Sequence, residues 1–255
     1  MEALALRPRS TTEIVDAAFR ICRSHYPALV AATAVVLSPA LTLKIVFPGT
    51  TAFADLLENL LFTVSDGAII GIASNAYLGR PADTSTGLRA VGGRVGGLMG
   101  AAFVRNFIVL IGLVLLVIPG LWALAVTFAV PMALVLEGQS FGGAFTRARA
   151  LADRRLGHVL KTLLLLIVLV FGLMIGVGVM IGIASEFTPI PDRVFDLSLD
   201  FVLILLYPLF SVGGTILYYD LRIREEGFDI EMMAGSLSDP TTGRGSPATT
   251  PAPPA

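Results

Sequence analysis

Residues 56–78 read LLENLLFTVSDGAIIGIASNAYL, and the topology of the chain turns on whether they cross a membrane. The stretch is long enough for a bilayer core of about 30 Å at 1.5 Å per helical residue. It also carries Glu58, Asn59, Asp66 and Asn75. An acid near the centre of a span costs about 2.5–3.5 kcal/mol on insertion scales, so hydropathy alone argues against it. The charges around it decide otherwise. Without this span, Arg80, Arg89 and Arg94 would fall on the opposite side from the other basic loops.

With the span included, six crossings put sixteen of the eighteen basic residues on one side. Arg7, Arg9, Arg20 and Arg23 precede the first apolar stretch. Arg80, Arg89, Arg94 and Arg105 lie between the second and third, and Arg147, Arg149, Arg154, Arg155 and Lys161 between the fourth and fifth. Arg222, Arg224 and Arg244 follow the sixth, leaving only Lys44 and Arg193 elsewhere. Short loops rich in Arg and Lys stay cytoplasmic, which predicts both termini inside.

Composition agrees. Hydrophobic residues make up 55% and charged residues 15% of the chain, with a mean hydropathy of +0.82. Soluble domains are nearer 25% charged. The basic clusters read as topology signals and not as a nucleic-acid surface. Cys22 is the only cysteine, so no internal disulfide forms. The preference for Arg, Ala, Gly and Val suggests a GC-rich bacterial source, hence a bacterial cytoplasmic membrane. No signal-peptide core precedes Thr11.

The expected fold is an all-α integral membrane protein of six spans in three hairpins, each preceded by a cytoplasmic amphipathic helix. Residues 1–27 form an N-terminal interfacial part, with Thr11 or Thr12 as helix cap. Residues 28–220 hold the spans, 221–233 a juxtamembrane amphipathic segment, and 234–255 a Ser/Thr/Pro/Gly tail too polar to fold alone. Pro39 is expected to kink span one, Pro48-Gly49 to turn the chain, and Pro189 and Pro191 to punctuate the last outer loop. Spans three and four turn at Ile118-Pro119-Gly120, either as a full crossing or as a re-entrant hairpin, with Trp122 at the outer interface and Arg105 snorkelling inward. Glycines at 92, 96 and 100, at 93 and 97, and the pairs Gly172/Gly176 and Gly178/Gly182 have the spacing of close helix contacts.

His25 and His158 have no metal-motif partners, and there is no Walker pair. No cofactor or metal site is expected, and no enzyme activity. The sharpest candidates are Glu58, Asn59 and Asp66. At 100° per residue Asp66 lies about 80° from Glu58 and about 20° from Asn59, while Asn75 points away. An intramembrane acid is a default candidate for an ion or substrate pathway, with helix pairing as the structural alternative. Arg147, Arg149, Arg154 and Arg155 form a second candidate, a contact for anionic lipid head groups.

Ordered blocks along the chain resemble a known family. Glu13-Ile14-Val15-Asp16-Ala17-Ala18-Phe19-Arg20 is similar to the start of the membrane domain found beside bacterial glycerophosphoryl diester phosphodiesterases. Ile118-Pro119-Gly120, Leu136-Glu137-Gly138, Phe145 with Arg147-Ala148-Arg149-Ala150-Leu151, and Leu217-Tyr218-Tyr219-Asp220-Leu221-Arg222-Ile223-Arg224 resemble its later blocks. The resemblance implies a membrane module without the catalytic barrel, and marks Glu137, Tyr218, Tyr219, Asp220, Arg222 and Arg224 as motif positions. Neither His is followed by Arg, so phosphodiesterase activity does not transfer. The leading expectation is a non-catalytic module that organises lipids or partner proteins. Its partners would be the bilayer, anionic head groups, another membrane protein or a second copy. The alternatives are a small-solute or lipid transporter using the polar face of span two, and the membrane subunit of a separate enzyme.

Overall fold

The computed structural model describes residues 7–47, 51–187 and 191–228. The Pro48-Gly49 turn, Pro189, residues 229–233 and the tail 234–255 lie outside them. Among the described residues all regular structure is helical, with no strand. The helices are α1 (Thr11–Val46), α2 (Thr51–Tyr77), α3 (Thr84–Val91), α4 (Val95–Leu115), α5 (Val117–Thr127), α6 (Val130–Leu136), α7 (Phe141–Asp153), α8 (Leu156–Phe187) and α9 (Asp192–Glu226). Six stretches are long and apolar enough to cross a bilayer: α1, α2, α4, α5 with α6, α8 and α9. This is an all-α, multi-pass membrane protein.

The start of α1 is set by Ser10, not by Thr11 or Thr12. Ser10 accepts from the Glu13 N–H at 3.4 Å, and Glu13 accepts in return from the Ser10 N–H at 2.8 Å. That reciprocal pair is a capping box, which satisfies two otherwise orphaned donors. The amphipathic first part of α1 is fused to the first span, with a break at His25 (φ −120°, ψ 16°). Pro27 explains the site of the break, because proline removes a helix donor and crowds the preceding turn. Pro39 lies inside the helix without comparable distortion. The face bearing Ile14, Ala17, Ala18 and Ile21 is buried in the bundle, while Phe19, Arg20 and Arg23 stay exposed. This segment is therefore part of the core as well as an amphipathic lead-in.

Helices α1, α2 and α9 pack together, α8 lies on α9, and α3 fits against α1 and α2. Two glycines make the α2–α3 contact possible. A β-carbon at Gly87 would stand 2.6 Å from the Ala68 carbonyl oxygen, and one at Gly71 would stand 2.7 Å from the Ala90 β-carbon. The spaced glycines singled out from sequence behave otherwise. Gly96, Gly97, Gly172, Gly176 and Gly182 meet nothing within 4 Å. Spacing reports a smooth helix face, but the tertiary neighbours decide whether a helix is there to use it.

The α4–α5 hairpin also departs from expectation. Gly112 and Gly120 let its arms touch, since a β-carbon at Gly112 would be 2.9 Å from the Gly120 α-carbon. The Arg149 guanidinium of α7 lies over the Trp122 ring, 5.6 Å from its centroid. Trp122 therefore pairs with the arginine cluster assigned from sequence to the inner side. Cation–π attraction and the bend between α5 and α6 supply the reason. The tip residues Val114, Leu115, Leu116, Val117 and Ile118 are all exposed and all apolar.

Candidate functional site

Two polar clusters lie at opposite ends of α2 and α9. The first gathers the motif positions at the end marked by Asp220. Asp220 is fully buried and has three kinds of donor: the Arg9 N–H at 2.6 Å, His158 Nε2 at 2.9 Å and Arg224 Nε at 2.8 Å. Beside it, both oxygens of Glu137 accept from the Arg147 fork, each at 2.8 Å. The Tyr218 hydroxyl also donates to Glu137, and Arg222 lies 3.6 Å away. Arg147 binds Glu226 as well. Burial works against the charge on Glu137, but the Arg147 fork, the Tyr218 hydroxyl and Arg222 outweigh it and hold the carboxyl below its usual value. Tyr219 completes the block by sharing a 2.6 Å hydrogen bond with Ser74 of α2 and stacking on Tyr77.

The basic residues proposed from sequence for lipid contact do not stand as an unneutralised patch. Arg147 is held by Glu137 and Glu226, and Arg154 and Arg155 both reach Glu225, at 3.5 and 2.9 Å. Arg149 pairs with Asp153 at 3.2 Å while covering Trp122. Arg149 and Arg154 remain largely exposed.

The second cluster surrounds a cavity of about 640 Å³. Glu58, Asn59 and Asp66 all line it, whereas Asn75 does not. The helical face read from sequence thus faces a real space. Lys44 enters it from α1 and binds Asp55 at 2.9 Å, Asp200 at 2.8 Å and also Glu58. Deeper in, Asp66 accepts from the Ser211 hydroxyl at 2.6 Å, beside Tyr207. Arg105 and Asn106 of α4 form the facing wall. Arg105 has one hydrogen bond among the described residues, a marginal 3.5 Å contact to Asn106. Neither Asp66 nor Arg105 has an ion pair within 4 Å among the described residues, although the two charges face each other.

Arg105, expected from sequence to snorkel inward, lines the cavity beside Asn106. The sequence signal for Lys44, Arg105 and Asp200 was present in their chemistry: charged groups in apolar helices need counter-charges on neighbouring ones. What sequence did not supply was the pairing of α1 with α9 and of α4 with α2.

Apolar side chains complete the cavity, among them Leu134, Phe171, Met174, Leu203 and Phe210. Helices α4 and α8 both line it, through Ala102 and Arg105 on the one and Phe171 and Met174 on the other. Among the described residues no set of three His, Cys, Asp or Glu side chains is arranged to hold a metal ion. The space combines charged and neutral hydrogen-bonding groups with an apolar wall, a composition suited to binding. No protein-family model, curated protein or solved structure matches this chain.

Proposed function

We propose that this chain is a non-enzymatic protein of a bacterial cytoplasmic membrane, with both termini in the cytoplasm, that takes a small amphiphile from the bilayer into the Asp66 cavity. One observation carries the reading: Glu58, Asn59 and Asp66 share a space of about 640 Å³ with Lys44 and Arg105, walled by apolar side chains of α4, α8 and α9. Binding pockets for small molecules commonly measure about 300–1,000 Å³ and combine apolar walls with a few placed polar groups. Transport is the stronger form of the same reading. It additionally requires access from both sides of the membrane.

Native mass spectrometry of the full chain, released gently from its own membranes, tests the proposal. A discrete amphiphile should accompany the protein and be lost from Ala102→Phe, which fills the cavity wall. Equal retention by both proteins would place the amphiphile elsewhere and end the cavity reading. Flux of that amphiphile in proteoliposomes separates transport from binding.

A second reading is a module that organises lipids or partner proteins, like the membrane domain that the sequence blocks resemble. What favours it is that motif positions engage one another: Glu137 meets Tyr218 and Arg222 of the last block, and Asp220 of that block binds Arg224. The exposed Arg149 and Arg154 are then the residues for anionic head groups. Recovery of a specific membrane partner, with no cavity-dependent amphiphile, would favour this reading over the first.

A further inference from the structure

The charges in the cavity restrict what it accepts, and the following inference rests on the amphiphile-binding reading above. Four carboxylates line the space, Asp55, Glu58, Asp66 and Asp200, against the two cations Lys44 and Arg105. Lys44 is engaged by three of the acids. That leaves Asp66 and Arg105 facing one another with no ion pair for either among the described residues. Isolated charges inside a membrane are costly, and a partner that neutralises both lowers that cost.

An anion alone would satisfy Arg105 but meet the excess of carboxylates. A cation alone would satisfy Asp66 but meet Arg105. A head group carrying both charges satisfies both. Arg105 supplies a planar guanidinium, the group best matched to phosphate oxygens, and Asn106 adds an amide beside it. Asp66 offers a carboxylate to an ammonium group, with Tyr207 and Asn59 on the same wall. Phe171, Met174 and Leu203 provide apolar contact on the cavity wall.

We infer that the ligand is a zwitterionic amphiphile with a phosphodiester and a primary ammonium, its phosphate on Arg105, its ammonium on Asp66 and its acyl chains against the apolar wall. The polar part of this chemistry is shared with free phosphoethanolamine. The apolar wall favours the lipid.

The test uses the full chain in nanodiscs, with competition read by native mass spectrometry. The probes are phosphatidylethanolamine, phosphatidylglycerol, diacylglycerol and free phosphoethanolamine. Phosphatidylethanolamine should be retained about tenfold over phosphatidylglycerol, the scale of one charge-assisted contact. Arg105→Gln and Asp66→Asn should each lower its retention about tenfold, with Arg105→Lys intermediate. Unchanged melting temperatures would show that these variants remain folded.

Equal retention of phosphatidylglycerol would overturn the ammonium assignment, and equal retention of diacylglycerol would overturn the head-group assignment. Either result leaves amphiphile binding intact. Displacement by free phosphoethanolamine at matching concentration would overturn the lipid assignment in favour of a soluble solute. If Arg105→Gln and Asp66→Asn destabilise the protein and the double variant is no worse than either, the two residues form a structural pair and the inference fails. If wild type and Ala102→Phe retain no amphiphile at all, the reading beneath it fails too.

Discussion

Asp220 and Asp66 are both acids on long apolar helices, yet their surroundings differ. Asp220 is wholly buried and receives a backbone N–H, an imidazole and a guanidinium. Asp66 receives the Ser211 hydroxyl and interacts with the Tyr207 hydroxyl, two neutral partners, in a cavity whose wall also carries Arg105. Around Asp220 the protein supplies the counter-charges itself, and the network ties together the residues before α1, α8 and α9. Around Asp66 it leaves charge and space together. A satisfied buried network specifies structure, because removing one member strands the others. A partly satisfied one inside a cavity invites an external partner. On the proposed reading, the first cluster serves folding and the second binding.

The comparison breaks most visibly at Asp220. Asp220→Asn should lower stability by about 3 kcal/mol, since it removes the charge that holds Arg224 and His158. Thermal unfolding in mild detergent should show a fall of roughly 6–12 °C for a chain of this size. A change under about 2 °C would remove the network from the folding account.

Glu137→Gln should cost about 2 kcal/mol, because the fork from Arg147 loses its charged acceptor. The same carboxyl sets a pH dependence. Its folded pKa is lowered, so its contribution is present above the unfolded value of about 4.3 and is lost as pH falls through the folded value. Wild type should therefore lose stability below about pH 4, and Glu137→Gln should lose less over that interval. Parallel melting curves between pH 3 and 6 would show the difference. Identical acid sensitivity would remove Glu137 as its source.

At the small end, Arg149→Gln should change stability by about 0.5–1 kcal/mol, the scale of one exposed cation–π contact with a weak surface pair. Its sharper readout is position. A fluorescence quencher confined to the outer leaflet should leave Trp122 nearly unaffected, if α7 lies on the inner side. Strong quenching from outside would restore Trp122 to the outer interface.

Much of the frame was legible in the sequence. Arginine distribution rescued 56–78 as a span despite Glu58 and Asp66, and α2 (Thr51–Tyr77) covers all of that stretch but its last residue as one continuous helix. Helical periodicity also placed Glu58, Asn59 and Asp66 on one face, the face that lines the cavity. Ser10 was missed although Ser10-Thr11-Thr12-Glu13 is itself a capping-box pattern. The partners were less accessible. Lys44 reaches Asp200 across 156 positions and Arg147 reaches Glu226 across 79. Such contacts depend on which helices become neighbours, which single-helix periodicity does not encode. The glycine spacings failed for the same reason: Gly172 and Gly176 share a helix face, but none of the described residues comes within 4 Å of a β-carbon placed at either.

The most direct measurement is the heat unfolding of Asp66→Asn beside Asp220→Asn in the same detergent. Asp66→Asn should melt within about 2 °C of wild type, since Asn still accepts from Ser211, while Asp220→Asn falls several-fold further. Equal losses in the two variants would make Asp66 another structural acid and would contradict the division between folding and binding clusters.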